Sequence, residues 1–224
     1  RTRMALTHLR TALKNRIHAT LAKYGLAVEE VADLFGERGR QELGRILDRL
    51  PPETRRCLEQ ELKVVDQVSE EIRQLERRIR ERLQSSRSMQ LLQTLPGVGN
   101  ILAIVIEREM GDVSRFPDAQ HFAAYAGTVP KVRASADRVR YGHLRPEANR
   151  YLKWAFMEAA NVVAVHCQAP GWKNRHVCRL YERLRRRRGH AIAVGAVARH
   201  LAEAAYAVMR KGEPYREPGL PAPR

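Results

Sequence analysis

The sequence predicts a mainly α-helical protein, in which a long antiparallel or coiled-coil helical arm precedes a compact helical domain. Apolar residues recur at intervals of three and four over long stretches, which is the period of an amphipathic helix. Glycine and proline residues separate most of these stretches. One basic segment, residues 128–145, lacks helical periodicity and is predicted to be an extended loop or a small hairpin. We expect an arm over 1–88, a domain over 89–212 and a disordered, proline-rich tail over 213–224.

The first half of the arm contains short helical segments. Residues 1–25 are predicted to form a basic amphipathic helix that ends near Gly25. Residues 28–50 are predicted to form two short helices with a break at 36–39. A further helix is expected to begin at Pro51-Pro52, because proline suits the first helical turn.

That helix carries a heptad stripe. Its members share three-four spacing and are Leu58, Leu62, Val65, Val68, Ile72, Leu75, Ile79 and Leu83. A stripe of this length requires a partner helix, which is either the N-terminal helix folded back on it or the same segment of a second chain. The second alternative is favoured, so we expect a homo-oligomer formed through the arm.

The domain opens with a helix, a tight turn and a second helix. The turn contains Pro96, Gly97, Val98 and Gly99, and an apolar run without a helix breaker follows from Ile101. Glycines allow positive φ and close approach of backbone N–H groups to a ligand at a helix N-terminus. The pattern is typical of a helix-hairpin-helix, which holds a nucleic-acid backbone through main-chain donors and reads no base sequence. The alternative is an ordinary helical turn.

The non-helical segment places a hydroxyl group among cations. Ser135 is surrounded in sequence by Lys131, Arg133, Arg138, Arg140 and Arg145. Guanidinium groups would stabilise the charge that develops on phosphoryl oxygens during attack by a serine. The residues alone leave open whether Ser135 is a nucleophile or one polar residue of a DNA-contacting loop.

Helices are again predicted for 147–165 and 191–209. Between them lies a run of four consecutive arginines, Arg185, Arg186, Arg187 and Arg188. Such a run is often a solvated helix face, but in so basic a chain it favours a phosphate-binding patch. The spacing of His166, Cys167, His176 and Cys178 matches no familiar zinc module, so no metal site is predicted.

Composition limits the function classes. The chain has 41 Lys and Arg against 25 Asp and Glu, which gives a formal net charge of +16. This balance is typical of a protein that neutralises phosphates and argues against an enzyme of small metabolites. Three scattered cysteines fit a reducing compartment, and no membrane span or signal peptide is expected, so we predict a cytoplasmic protein. A chain that begins with Arg1 is expected to be a fragment of a longer one.

Several ordered motifs resemble the C-terminal transposase domain of the IS110 (IS116/IS902) group of bacterial insertion sequences. They are Leu95-Pro96-Gly97-Val98-Gly99, Gly111-Asp112-Val113-Ser114-Arg115-Phe116, Ala123-Ala124-Tyr125-Ala126-Gly127-Thr128-Val129-Pro130 and Ala193-Val194-Gly195-Ala196-Val197-Ala198-Arg199. Residues 10–18 and 24–26 are similar to the segment that joins the two halves of those proteins. The resemblance covers nearly the whole chain.

The resemblance implies a DNA recombinase that acts as an oligomer with a structured guide RNA. It also implies an N-terminal RNase H-like domain with four acidic ligands for Mg²⁺, which these residues do not contain. The serine nucleophile of the family follows its Ala-Gly-x-x-Pro segment, and this position is Ser135 here. The implied chemistry is attack of Ser135 Oγ on a DNA phosphodiester and strand transfer through a phosphoserine.

Two departures from the family pattern stand beside this expectation. Ala136 replaces the usual glycine after the serine, and residues 145–149 replace a more usual Lys-x-Gly-Asn while keeping Asn149. The function expected is therefore a transposase, or the C-terminal part of one, that cleaves and transfers DNA strands. The alternative is a catalytically inactive DNA- or RNA-binding remnant with a helix-hairpin-helix.

Overall fold

The computed structural model describes residues 1–26, 31, 33–135, 138–144 and 147–218. Within these ranges the side chains of residues 83, 85, 132–135, 138–141, 143 and 144 are left undescribed. The structure is mainly α-helical, as predicted, and it divides into two compact units, Arg1–Arg78 and Ile79–Arg224. The predicted domain bounds at 88 and 212 stay a prediction.

The described residues of the first unit form three helices. They are α1 (Thr2–Lys23), α2 (Glu37–Leu47) and the greater part of α3 (Pro52–Ser85). As predicted, the first helix ends just before Gly25, whose φ is 67°, and the third begins at the second proline of the Pro51-Pro52 pair.

Ion pairs align α1 with α3 in opposite directions. Arg3 near the start of α1 pairs with Glu76 late in α3 at 2.5 Å, and Arg16 pairs with Glu61 at 2.7 Å. The residue farther along α1, Arg16, pairs with the residue nearer the start of α3, Glu61. This order is the pattern of an antiparallel helical hairpin. The N-terminal helix is therefore folded back along the heptad stripe.

This hairpin covers the apolar stripe of α3 with residues of the same chain. Leu58 and Val65 are each 1% exposed and belong to one core cluster with Ile17 and Leu21 of α1. Between Leu58 and Val65 the stripe is thus covered within its own chain, so this part of the helix does not require a second chain. Assembly through the arm remains a prediction.

The predicted helix break at 36–39 is correct at Gly36 and wrong over 37–39, and residues 28–30 and 32 of the first predicted short helix lie outside the described residues. Gly36 is the N-cap of α2, and Gly39 lies inside the helix. A Cβ on Gly39 would fall 2.5 Å from Leu34 Cα and 2.3 Å from the carbonyl oxygen of Asp33. Gly39 is thus required for close backbone packing and does not mark a break.

The second unit begins within the last turns of α3. After the end of α3 its elements are α4 (Arg87–Leu92), α5 (Asn100–Met110), a 3-10 turn (Val113–Arg115), α6 (Ala119–Tyr125), β1 (Pro130–Ser135), β2 (Arg138–Leu144), α7 (Arg150–His166), α8 (His176–Arg188) and α9 (His190–Lys211). Pro117 precedes Asp118, the N-cap of α6, whose carboxylate accepts a hydrogen bond from His121 N.

Small residues allow the helices of this unit to pack closely. Ala155, Ala159 and Ala160 of α7 and Ala198 of α9 are fully buried, with Phe122 and Phe156 filling the space between helices. By length and composition alone, α9 is apolar enough to cross a membrane, which the sequence reading did not foresee. Much of its apolar surface instead forms part of this core, as at Val197 and Leu201.

The segment between α6 and α7 is a hairpin, the second of the two predicted alternatives. Strands β1 and β2 pair antiparallel, with Ser135 opposite Arg138 and Val132 opposite Tyr141. A bulge shifts the register between Pro130 and Val132.

The described part of the tail, residues 213–218, makes specific contacts where the sequence predicts disorder. Tyr215 N donates to Thr94 Oγ1 at 2.7 Å, and Glu217 Oε2 accepts from His176 N at 2.8 Å. The tail therefore lies along the start of α8 and the turn after α4 up to Pro218.

Candidate functional site

The turn between α4 and α5 contains the residues expected to hold phosphate. Gly97 has φ of 79°, as the motif requires, but Gly99 has φ of −93° and lies in extended backbone. Pro96 and Val98 are buried, whereas Gly99 is exposed. Of these four residues of the turn, Gly99 is therefore the most exposed, and Gly97 is half-buried.

Gly97 has a packing role that the sequence could not reveal. A Cβ at this position would fall 2.3 Å from the carbonyl oxygen of Ala159 in α7. The missing side chain thus lets the turn rest directly on the backbone of α7.

The N-terminus of α5 lies next to the exposed glycine. Gly99 is the N-cap and provides no side-chain acceptor for the first N–H groups of the helix. Gln93 Nε2 donates to Asn100 Oδ1 at 2.5 Å and ties the end of α4 to the start of α5. The helix dipole and free N–H groups are features that an anion uses at such an end.

The hairpin register relates Ser135 to three arginine positions. Ser135 pairs with Arg138, and Arg133 pairs with Arg140. Residues directly opposite one another in an antiparallel ladder occupy the same face, and so do alternate residues along one strand. The backbone therefore assigns all four positions to one face of the hairpin. Their side chains lie outside the described part of the structure, as does the whole of Arg145.

Lys131, the remaining predicted cation, occupies the bulge. Its Nζ lies 3.3 Å from Glu147 Oε1, where the chain leaves the hairpin toward α7. Both side chains are substantially exposed, so the pair contributes only about 0–1 kcal/mol. Lys131 thus interacts at the base of the hairpin.

Asn149, Glu109 and Tyr125 form a polar cluster at this base that the sequence analysis did not assign to the site. Asn149 Nδ2 donates to Glu109 Oε2 at 2.8 Å and to Tyr125 Oη at 3.3 Å. The hydrogen bond from Asn149, together with the nearby Arg115 guanidinium, lowers the pKa of the Tyr125 hydroxyl. An asparagine directly before a helix is a signal for an N-cap, but its contact with Glu109 is not predictable from local sequence.

The arginine run occupies the last turn of α8. Arg185, Arg186, Arg187 and Arg188 are all exposed, and Arg185 lies 3.7 Å from Glu182 one turn earlier. Cations at a helix C-terminus are favoured by the helix dipole, which explains their position without a ligand. The same exposure leaves them accessible to phosphates.

The cysteine and histidine pairs show no arrangement for a metal. Cys167 and Cys178 are buried free thiols, and burial, with Cys178 alongside, raises the pKa of Cys167 to about 12. His166 stacks on Trp172, with ring centroids 5.3 Å apart. Across the described residues, no group of three or more His, Cys, Asp and Glu side chains comes together as a metal site would require.

Comparison with known proteins gives a family match. Residues 89–177 match the family model described as transposase, IS116/IS110/IS902 family. This range begins in α4 and ends in the first turn of α8, so it includes the turn at Gly97, the hairpin and Asn149.

The similarity to individual proteins covers more of the chain than the family model does. A probable family 20 transposase of Pseudomonas aeruginosa is 27% identical over 175 residues, which cover 75% of this chain and 50% of that protein. The transposase for insertion sequence element IS1111A of Coxiella burnetii is 27% identical over 214 residues, covering 94% and 57%. The 43.6 kDa protein of insertion element IS110 of Streptomyces coelicolor is 32% identical over 156 residues, covering 69% and 36%. The matches thus span between 36% and 57% of these relatives.

Proposed function

This chain belongs to the IS116/IS110/IS902 family of insertion-sequence transposases, and on that premise we propose that it is the DNA-processing C-terminal part of such an enzyme. It binds DNA and supplies Ser135 as the nucleophile for strand cleavage and transfer. Two of the three relatives described above are named as transposases, and the rest of the proposal concerns this chain's own residues.

The register of the hairpin is the observation that carries the proposal. Ser135 and three arginine positions occupy one face of a two-stranded ladder. Guanidinium groups on that face would bind the non-bridging oxygens of a phosphodiester and stabilise the added charge of the transition state. In this proposal the Ser135 hydroxyl attacks the phosphorus of the phosphodiester that these cations bind.

The reaction conserves the number of phosphoester bonds. Ser135 Oγ attacks phosphorus, the Oγ–P bond forms, and the bond from phosphorus to the leaving DNA oxygen breaks. The serine proton ends on that oxygen, which becomes a free hydroxyl. In strand transfer the hydroxyl of a different strand attacks the phosphoserine, and the serine regains its proton. No external energy source is needed because each step exchanges one ester for another.

Two other parts of the chain would bind the DNA backbone without reading the base sequence. In this proposal the turn at 96–99 and the α5 N-terminus act as a helix-hairpin-helix that holds a DNA phosphate. The exposed arginines 185–188 add electrostatic affinity.

The family resemblance also supplies partners for the proposal. A structured guide RNA, a second copy joined through the arm and a cytoplasmic location are expected of the whole protein. Mg²⁺ belongs to an acidic N-terminal domain in this family. The described residues gather no acidic cluster that would hold it, so no step of this mechanism passes through a metal.

An inactive nucleic-acid-binding remnant is the second candidate. The alanine at position 136, where the family has glycine, is the observation that favours it. In that case the chain would retain salt-dependent DNA binding without forming a covalent intermediate.

A covalent trapping assay tests the proposal. The chain, alone and mixed with a full-length relative that contains the acidic domain, is incubated with DNA from the ends of an insertion element. Adducts are separated on a denaturing gel, where a tag identifies those of this chain. Ser135→Ala is the test variant, and Ser114→Ala is the matched control because Ser114 is an exposed serine that also neighbours an arginine.

The two candidates predict different results. An adduct formed by the wild-type chain and by Ser114→Ala, but not by Ser135→Ala, is expected for the nucleophile. Absence of any adduct while DNA binding is intact would reject catalysis by this chain and support the remnant.

A further inference from the structure

Asn149 uses all of its hydrogen-bonding groups at the base of the hairpin. Its backbone N–H donates to the carbonyl oxygen of Tyr125 at 2.9 Å, and its side-chain amide donates to Glu109 at 2.8 Å and to Tyr125 Oη at 3.3 Å. Its Oδ1 accepts from the backbone N–H groups of Tyr151 and Leu152 at 3.0 and 3.1 Å. One side chain therefore links α5, the end of α6 and the start of α7.

The orientation of the amide is determined by these partners. Two backbone N–H groups face one end of the amide, so that end must be the oxygen. The NH₂ end then faces the Glu109 carboxylate, which can only accept when ionised. Asparagine satisfies both sides, whereas aspartate would satisfy the helix cap alone.

The chain enters the hairpin beside the point where it leaves it. Tyr125 ends α6 on the entering side, and Asn149 precedes α7 on the leaving side. A Cβ on Gly127 would fall 2.7 Å from Ala148 Cβ, so the two segments are in direct contact. Thr128 on the entering side is buried and bonds Ala123 through its backbone N–H and its hydroxyl, at 3.1 and 3.0 Å.

We infer that Asn149 is a positioning residue that holds the base of the Ser135 hairpin in a fixed geometry relative to α5 and α7. It acts on the hairpin through Tyr125 and Glu109 and does not itself contact DNA. The inference rests on the proposed function for its catalytic consequence, but its structural consequence is independent of any activity.

Asn149→Ser separates positioning from helix capping. Serine is as good an N-cap as asparagine, but its side chain is too short to reach Glu109 and has no amide group. Asn149→Ala removes both roles. Asn174→Ser is the matched control, because Asn174 is exposed in the segment before α8, and Arg179 donates to its backbone oxygen.

Hydrogen–deuterium exchange measured on the whole chain tests the structural consequence. In Asn149→Ser we expect the amides of β1 and β2 to exchange roughly five- to thirtyfold faster than in wild type, as loss of one or two net hydrogen bonds would give. Amides of α7 should be protected as in wild type, and Asn174→Ser should match wild type throughout. Unchanged exchange of the hairpin in Asn149→Ser would overturn the inference.

The trapping assay tests the catalytic consequence. Displacement of a reacting group by an ångström costs about a hundredfold in rate, so adduct formation by Asn149→Ser should fall by about that factor while DNA affinity is retained. If Ser135→Ala still forms an adduct, the proposed function fails and the exchange result alone decides the inference. If Ser135→Ala abolishes the adduct but Asn149→Ser forms it at the wild-type rate, only the inference fails.

Exchanging the amide and carboxylate groups of Asn149 and Glu109 tests whether their contact can be restored. Asn149→Asp retains the cap but places a carboxylate against Glu109, so it should loosen the hairpin. Adding Glu109→Gln returns an amide to the pair, with donor and acceptor reversed, and should restore slow exchange of β1 and β2. A double variant that exchanges as fast as Asn149→Asp would contradict the role of this contact.

Discussion

Gly97 in the turn after α4 lies directly against the carbonyl oxygen of Ala159 in α7, with room for no side chain between them. An ideal Cβ on Gly97 would fall 2.3 Å from that oxygen and 3.2 Å from Ala159 Cα. Atoms of the helix backbone cannot move away as the end of a flexible side chain can. Gly97, a glycine of the proposed phosphate-binding turn, is thus also a packing residue of the domain.

Gly97→Ala should therefore destabilise the protein. Its φ of 79° is unfavourable for alanine, and the added methyl group overlaps the backbone of α7. We expect a loss of about 1–3 kcal/mol from the backbone strain alone. The measurement is the free energy of unfolding in urea.

Gly99→Ala is the matched control for this prediction. Gly99 has φ of −93°, and a Cβ there would meet nothing within 4 Å. Alanine is a poorer N-cap than glycine, but it also lowers the entropy of the unfolded chain, so the net change should be within about 0.5 kcal/mol. Equal destabilisation by the two substitutions would contradict the packing role of Gly97.

Local signals in the sequence predict much of this fold. Gly25 follows the first helix as expected, because a helix end depends on the few residues around it. Gly111 and Gly127 also follow helix ends, and all three glycines have positive φ. The hairpin over 130–144 was also one of the two predicted alternatives for a segment without helical period.

Contacts between distant residues explain what the sequence did not predict. Gly39 looks like a helix break in sequence, but its position is set by the backbone of Leu34. Asn149 has a local signal for capping α7, whereas its contact with Glu109 depends on how α5 packs in the domain. The pairing of Ser135 with Arg138 in the candidate site is also set by contacts between strands, and the spacing of the residues alone does not predict it.

The arginine run provides a prediction on DNA affinity. Arg186→Gln combined with Arg187→Gln should weaken binding to a duplex of mixed sequence, because both side chains are exposed at the end of α8. The slope of log affinity against log salt should become shallower by about one for each lost phosphate contact. Fluorescence anisotropy over a series of salt concentrations measures both quantities.

A control variant with the same loss of charge distinguishes DNA binding by the α8 arginines from an effect of the net charge of the chain. Arg45→Gln combined with Arg56→Gln removes two exposed arginines of the first unit, whose side chains are 76% and 73% exposed. If this pair lowers the affinity and the salt slope as much as the α8 pair, the run on α8 is a solvated face without a specific role.

His200 provides a prediction on pH. Burial, and secondarily the neighbouring His176 with its ring centroid 4.9 Å away, lower the pKa of His200, although Glu203 and Glu217 act in the opposite direction. Its Nε2 lies 3.4 Å from Tyr215 Oη in the tail. The folded state thus favours the neutral imidazole.

Thermal stability should consequently fall as the pH drops below the ordinary histidine pKa of about 6.5. In the interval between that value and the lower pKa of folded His200, the unfolded chain binds more protons than the folded one, so unfolding becomes easier with acid. Calorimetry of wild type and His200→Gln across this interval measures the effect. The variant should show a shallower fall of Tm, whereas His8→Gln, at an exposed position of α1, should follow wild type. Parallel curves for wild type and His200→Gln would show that the burial of this imidazole does not control the acid sensitivity of the domain.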